Sequence, residues 1–239
     1  METISNILED IKVGTLFPKI HRQKFNYNID KAREIVLAIG RAREANFAID
    51  STNIFAYDNF IKWLMGDPTM EALDPDTRLS VPGRLSDGIY VAGGTGTGKS
   101  WLLEIMAALC LIDKPVLLIG EEKRPLRWQN YRTDLICDEF TASGTVERFK
   151  QATVLGIQDL GSEPRESLYM GNRVPVLRSI IESRGDRTDC ITMISSNYPI
   201  NHPALEEIYG SRAVSRLASM CNYFEIRGDD RRKRYLKRF

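Results

Sequence analysis

The chain has 239 residues and a mass of 27.2 kDa, with 43% hydrophobic and 27% charged residues. That balance belongs to a globular domain and excludes a collagen, a coiled-coil rod and a disordered tail. Its 33 basic and 32 acidic residues leave a net charge of +1, so no global field draws it to DNA or to a membrane surface, and any anion site must be a local patch.

The opening METISNILEDIKVG mixes charge with apolar residues and lacks a signal-peptide core. Residues 1–27 show no clear period. Ile29, Ala32, Ile35, Val36, Ile39 and Ala42 recur at helical spacing and predict a helix between Asn28 and Phe47. Ala56, Phe60, Trp63 and Leu64 predict a second, from about Thr52 to Met65. Residues 66–87, rich in Pro, Asp and Gly, read as a loop. From Gly88 onward strands and helices alternate. GIYVAGG, PVLLIG (115–120), TVLGIQD (153–159), CITMISSN (190–197) and YFEIRG (223–228) read as strands. Between them, helices are expected over Lys99–Leu111, most of 126–150, Val174–Ser183, Pro203–Tyr209 and Ser211–Met220. Five strands with intervening helices predict an α/β fold, a mainly parallel sheet covered on both faces. The main domain is expected to span 51–239, behind a short helical N-terminal extension over 1–50 that offers a partner-binding region.

The longest apolar run, Ile105–Ile112, falls far short of the ~18 residues of a membrane span. Four scattered cysteines form no CxxC pair, and His21 and His202 are the only histidines. This argues against a structural zinc site and for reduced core thiols in a cytosolic protein.

The sharpest signal is Gly93-Gly94-Thr95-Gly96-Thr97-Gly98-Lys99-Ser100, a full match to GxxxxGK[ST] between a strand and a helix. The glycines let successive N–H groups turn toward phosphate oxygens, and the helix N-terminus adds partial positive charge. Lys99 is expected to reach the β- and γ-phosphates of ATP and Ser100 to ligate Mg²⁺, with Trp101 next to the bound nucleotide. The second acidic site falls at Val154–Gly161, where Asp159 is the candidate Mg²⁺ and water-orienting carboxylate. Many such enzymes carry two acids here, and this chain has Gln158 in the first place. At ~4 Å and an effective dielectric of 20, the forfeited charge term is on the order of 4 kcal/mol.

Asn197 ends the 190–197 strand, on the side of an open α/β sheet where ligands bind, and can serve the γ-phosphate or the attacking water. It also suits a turn before Tyr198-Pro199. Arg212 and Arg216 are four apart and share a helix face. They suit either a solvated surface or a contact with an anion, such as a neighbouring subunit's γ-phosphate. The tail from Arg227 holds seven basic residues and two acids. Lys123, Arg124, Arg127 and Arg132 interleave with Trp128 and Tyr131, a pattern that serves stacking on single-stranded bases or ordinary helix packing.

Taken in order, GGTGTGKS, LGIQDLGSE, TMISSNYP, YGSRAVSRL and FEIRGDDRR resemble the DnaC/DnaI-type helicase loaders of the AAA+ ATPases, with the IstB-type transposition helpers close by. The resemblance covers about residues 50–235. It implies a P-loop AAA+ fold, ATP and Mg²⁺ as cofactors, Asn197 as sensor 1 and Arg216 as the arginine finger with Arg212 beside it. It also implies a sensor-2 role for Arg231 or Arg232. Partners implied are a replicative DNA helicase, single-stranded DNA and further copies of the chain joined through Arg216, in the cytoplasm and without a membrane. The family usually has an acid at the place of Gln158, so weak turnover is expected. A transposition helper, or a nucleotide-gated binding module with little hydrolysis, is the alternative role.

Overall fold

Residues 19–232 are described by a computed structural model, whose strands are numbered here in chain order. β1 is Ile20–Arg22, followed by helices Ile29–Arg43 and Ile54–Leu64. β2 (Glu71–Leu73) and β3 (Ser80–Pro82) form a hairpin inside the stretch expected to be loop. β4 (Gly88–Gly93) leads into the helix Lys99–Asp113, then β5 (Val116–Ile119), β6 (Glu122–Pro125) and β7 (Asn130–Arg132). Helices Thr133–Ser143 and Glu147–Gln151 precede β8 (Val154–Leu160). A second hairpin, β9 (Ser167–Tyr169) with β10 (Asn172–Val174), precedes the helix Val176–Gly185 and β11 (Ile191–Ser196). Helices Pro203–Tyr209 and Ser211–Met220 and strand β12 (Cys221–Ile226) complete the order.

The central sheet has the order β12-β4-β11-β8-β7, and every neighbouring pair is parallel. All six residues of β11 and five of six in β4 are buried, as a sheet covered on both faces requires. Ile89 and Val91 face the side built from helices 29–43, 54–64 and 99–113. Tyr90 and Ala92 face the side built from helices 133–143, 176–185 and 203–220.

One of the five expected strands lies elsewhere. β5 is the middle of a separate antiparallel sheet, between β1 and β6. Ile119 pairs with Glu122, so Gly120 and Glu121 make a two-residue turn, and Gly120 takes the positive φ of 59° such a turn demands. With both backbone edges occupied, β5 has nothing left to offer the central sheet. Its place is filled by the three-residue β7, from a stretch expected to be helical. Trp128 is buried and its ring stacks on Phe60 with centroids 6.1 Å apart.

The segment before residue 51 is knitted into the same body. Asn28 caps its helix, its side chain accepting from the backbone N–H groups of Asp30 and Lys31 at 2.9 and 3.0 Å. Ala32 and Val36 are buried against the phosphate-loop helix side of the core. At Gly40 an added Cβ would sit 2.1 Å from the ring of Phe47, so glycine lets that ring fold back over the helix.

Arg184 is 1% exposed, with no carboxylate partner among the described residues. It instead donates to Thr192 Oγ1 at 2.9 Å and to the carbonyls of Phe149, Ala152 and Ile191 at 3.0, 2.6 and 2.6 Å. Burial lowers its pKa, though guanidinium remains protonated. It staples the approach to β8 onto the start of β11. Arg184→Leu leaves those acceptors unpartnered at ~1–3 kcal/mol each. The expected loss is at least about 3 kcal/mol, read as a lower urea midpoint at unchanged m-value.

Candidate nucleotide site

β4 ends at Gly93, the chain turns through Gly94–Gly98, and a helix starts at Lys99. Gly96 and Gly98 have φ of +77° and +104°, backbone shapes that side-chain-bearing residues rarely adopt. The space where a Cβ of Gly98 would point is open. Thr97 Oγ1 ties the loop by donating to Gly94 O at 2.9 Å.

Lys99 is 5% exposed, and its ammonium donates to Gly94 O and to Asn197 Oδ1, both at 2.8 Å. β11 lies beside β4, and this adjacency delivers Asn197 to the loop. Desolvation lowers the pKa of Lys99, Asp159 opposes that shift, and Arg232 adds to it. Both hydrogen-bond acceptors are neutral, so the cation is held ready for an anion.

Asp159 sits at φ +62°, a conformation a non-glycine residue adopts at a cost of roughly 1–3 kcal/mol. The surroundings hold it there. Its N–H donates to Ser195 Oγ at 3.2 Å, and its carbonyl accepts from Ser162 Oγ at 2.7 Å and Thr133 Oγ1 at 3.2 Å. The pairing of β8 with β11 slips just past this point, where Ser196 meets Leu160. Gln158 is 6% exposed, and its Nε2 donates to Glu104 Oε1 at 3.0 Å and to Ser100 O at 3.4 Å.

These groups line one cavity of about 1270 Å³. Thr95–Trp101, Gln158, Asp159 and Asn197 form the phosphate end. At the other end the Phe47 ring lies 6.0 Å from Trp101 at a 31° tilt and meets Tyr57 edge-on at 5.8 Å. The Arg43 guanidinium packs 4.8 Å from the Trp101 ring centre and pairs with Glu104. The loop–strand–strand constellation expected for ATP is thus brought together, Trp101 included. Phe47, Tyr57, Arg43 and Glu104 were not anticipated. Phe47 and Arg43 come from the segment before residue 51, and the nearest sequence cue to Glu104 is its i+4 spacing from Ser100.

Arg231 and Arg232 also line the cavity. Arg231 is committed to Asp50, at 2.9 and 3.0 Å, and to Thr52 Oγ1 at 2.9 Å, while its N–H donates to Gly96 O at 3.1 Å. Arg212 and Arg216 do not line it. Arg216 lies across Gly185 and donates from Nε to Asp186 Oδ1 at 3.0 Å. Arg212 is exposed and has no ion pair among the described residues.

The basic-aromatic stretch behaves differently from the stacking platform the sequence suggested. Trp128 spends its ring on Phe60 and its Nε1–H on Asn130, at 3.0 Å, and has no face left for a base. Arg132 lines the nucleotide cavity, Arg124 pairs with Glu122, and Lys123 and Arg127 are exposed. Residues 233–239, most of the basic tail, lie outside the described residues, as do residues 1–18.

ATP with Mg²⁺ fits the donors present, which are an open glycine cradle, a buried ammonium facing neutral oxygens, the Ser100 hydroxyl and the Asp159 carboxylate. Among the described residues there is no cluster of three or more His, Cys, Asp or Glu that could hold a metal ion. No described helix is long and apolar enough to cross a membrane.

Among solved structures, the chain is similar to a provisionally assigned primosome component from Streptococcus pyogenes serotype M3, with TM-score 0.52, 19% identity, and 87% of this chain and 94% of that one covered. The DnaC helicase loader matches at TM-score 0.47 and 16% identity over 77% of this chain and 94% of that one. AMPPCP-bound DnaA from Aquifex aeolicus matches at TM-score 0.46 and 18% identity over 81% of this chain and 52% of that one. No protein-family model and no curated protein sequence matches the chain. The likeness to the primosome component is one of fold.

The lowered pKa of Lys99 has a definite consequence for anion binding. Deprotonation removes the cation, so affinity for a phosphate-bearing ligand falls with rising pH, beginning below the ordinary lysine value of 10.5. Titration with a fluorescent nucleotide should show this fall in wild type and a later one in Lys99→Arg.

Proposed function

We propose that the chain is an ATP-binding AAA+ protein that acts in DNA replication as a helicase loader. The observation that carries the nucleotide reading is Lys99, buried with its ammonium on Gly94 O and Asn197 Oδ1 at the phosphate end of the cavity. Support for a replication role comes from the order of the five motifs and from the fold shared with the primosome component across most of both chains.

In this reading the loop N–H groups and the Lys99 ammonium bind the triphosphate, and Lys99 exchanges its Gly94 contact for phosphate oxygen. Ser100 and Asp159 would hold Mg²⁺, which supplies charge neutralisation at the β- and γ-phosphates. Asn197, freed from Lys99, orients the attacking water or the γ-phosphate. Trp101 and Phe47 flank the base. Arg231 meets the phosphates after leaving Asp50. Arg212, already exposed, and Arg216, after leaving Asp186, are the groups offered to a neighbouring copy's nucleotide. Single-stranded DNA would bind through phosphate contacts at Lys123, Arg124 and Arg127 rather than by stacking on Trp128. Residues 1–50 remain the proposed partner-binding region, on the way to a replicative helicase. Gln158 favours a second reading of the same site, a nucleotide-gated binding module with little turnover.

The deciding experiment is capture of partners from the native host with and without ATP, using wild type and Lys99→Ala. Calorimetry should show ATP affinity abolished in the variant, and ATP-dependent recovery of a replicative helicase should be lost with it. Recovery of a transposase, or of no ATP-dependent partner, would refute the loader assignment.

Action in trans is tested by mixing. Lys99→Ala cannot hydrolyse, and a chain lacking both Arg212 and Arg216 cannot complete its neighbour's site. Arginine fingers contribute roughly 10³–10⁵ in rate. The mixture should therefore regain activity that neither variant has alone, scored by phosphate release.

A further inference from the structure

Resting on the nucleotide reading and deepening it, we propose that the carboxylate missing from the end of β8 is supplied by Glu104, from the phosphate-loop helix. Glu104 is a positioning residue here. It holds the water shell of the nucleotide's Mg²⁺ through the charge it places beside Ser100 and Gln158.

The geometry converges on this pair. Glu104 lies one helical turn after Ser100, and side chains on a helix lean toward its N-terminus, so the carboxylate reaches back over the Ser100 turn. Gln158 lies near the end of β8, separated from β4 by β11, and its Nε2 bridges both residues: 3.0 Å to Glu104 Oε1 and 3.4 Å to Ser100 O. Gln158 is buried, so this orientation is set by its partners rather than by solvent. With its N–H groups turned to Glu104 and Ser100, the amide keeps Oε1 as an acceptor for a metal-bound water. The negative charge that an amide lacks resides one bond network away. Glu104 Oε2 is engaged by Arg43, and the Arg43 guanidinium rests on Trp101, 4.8 Å from its ring centre. Both carboxylate oxygens are therefore oriented, and both Gln158 and Glu104 line the cavity.

The arrangement has a reciprocal form. Exchanging the two residues, Glu104→Gln with Gln158→Glu, keeps one carboxylate and one amide in contact and returns the charge to the strand. A role confined to packing or to helix stability has no reason to respond to that exchange through Mg²⁺.

The test is a Mg²⁺ titration of a fluorescent ATP analogue bound to the full chain, starting from EDTA. Failure of wild type to bind the analogue, with or without Mg²⁺, would overturn the nucleotide reading itself. Given binding, Glu104→Gln should raise the Mg²⁺ midpoint at least tenfold, well beyond any change in metal-free affinity. The reciprocal double variant should bring the midpoint back to within about threefold of wild type. A midpoint unmoved in Glu104→Gln, or raised equally in the single and the reciprocal variant, would overturn the inference and leave the nucleotide reading intact. So would wild-type binding that ignores Mg²⁺. Should Glu104→Gln fail to fold, Glu104→Asp withdraws the carboxylate by one methylene. It should also raise the midpoint, and an unmoved midpoint there refutes the proposal.

Discussion

The structure is organised around a buried ammonium. Taking a lysine cation out of water is costly unless oxygen atoms replace the lost hydration. Lys99 finds two, from Gly94 in its own loop and from Asn197 at the end of another strand. Meeting that requirement dictates a good deal else. β11 must lie beside β4 and parallel to it, so that both strand ends open on the same edge. The loop must turn tightly enough for the Gly94 carbonyl to face back toward Lys99, which the left-handed Gly96 and Gly98 permit. The strained backbone at Asp159, braced by Ser195, Ser162 and Thr133, brings the third strand end to the same point.

Much of this was legible because it is local. The phosphate loop carries its geometry in eight consecutive residues, and β4, β8, β11 and β12 are apolar runs of the kind that only a doubly covered sheet buries. What sequence could not separate was equally apolar and differently placed. VLLI reads the same in a central sheet as in a hairpin, and the deciding feature was the Gly120–Glu121 turn that folds β6 back on it. Asn-Tyr-Arg at 130–132 is too short and too polar to announce an edge strand. Trp128 among arginines carries one signature for two fates, and the stacking partner it found was Phe60, distant in sequence. Glu104 carries no motif of its own, since its meaning depends on Gln158, 54 residues away.

The arginines divide by the company they keep. Arg184 is enclosed by carbonyls and serves the fold. Arg231 and Arg216 are held by Asp50 and Asp186, pairs at least partly open to solvent, where an ion pair is worth little and is readily exchanged for a stronger anion. Arg212 is exposed, with no ion pair among the described residues. Of these three only Arg231 lines the nucleotide cavity.

Gly40 has a reach beyond its own helix. Because it has no side chain, the Phe47 ring lies on the helix 29–43 and, from there, against Trp101. Arg43, at the end of that helix, grips the Trp101 ring and Glu104 from the other direction. The helix and the turn after it thus place two side chains in the cavity, Phe47 on its aromatic wall and Arg43 on the Glu104 carboxylate.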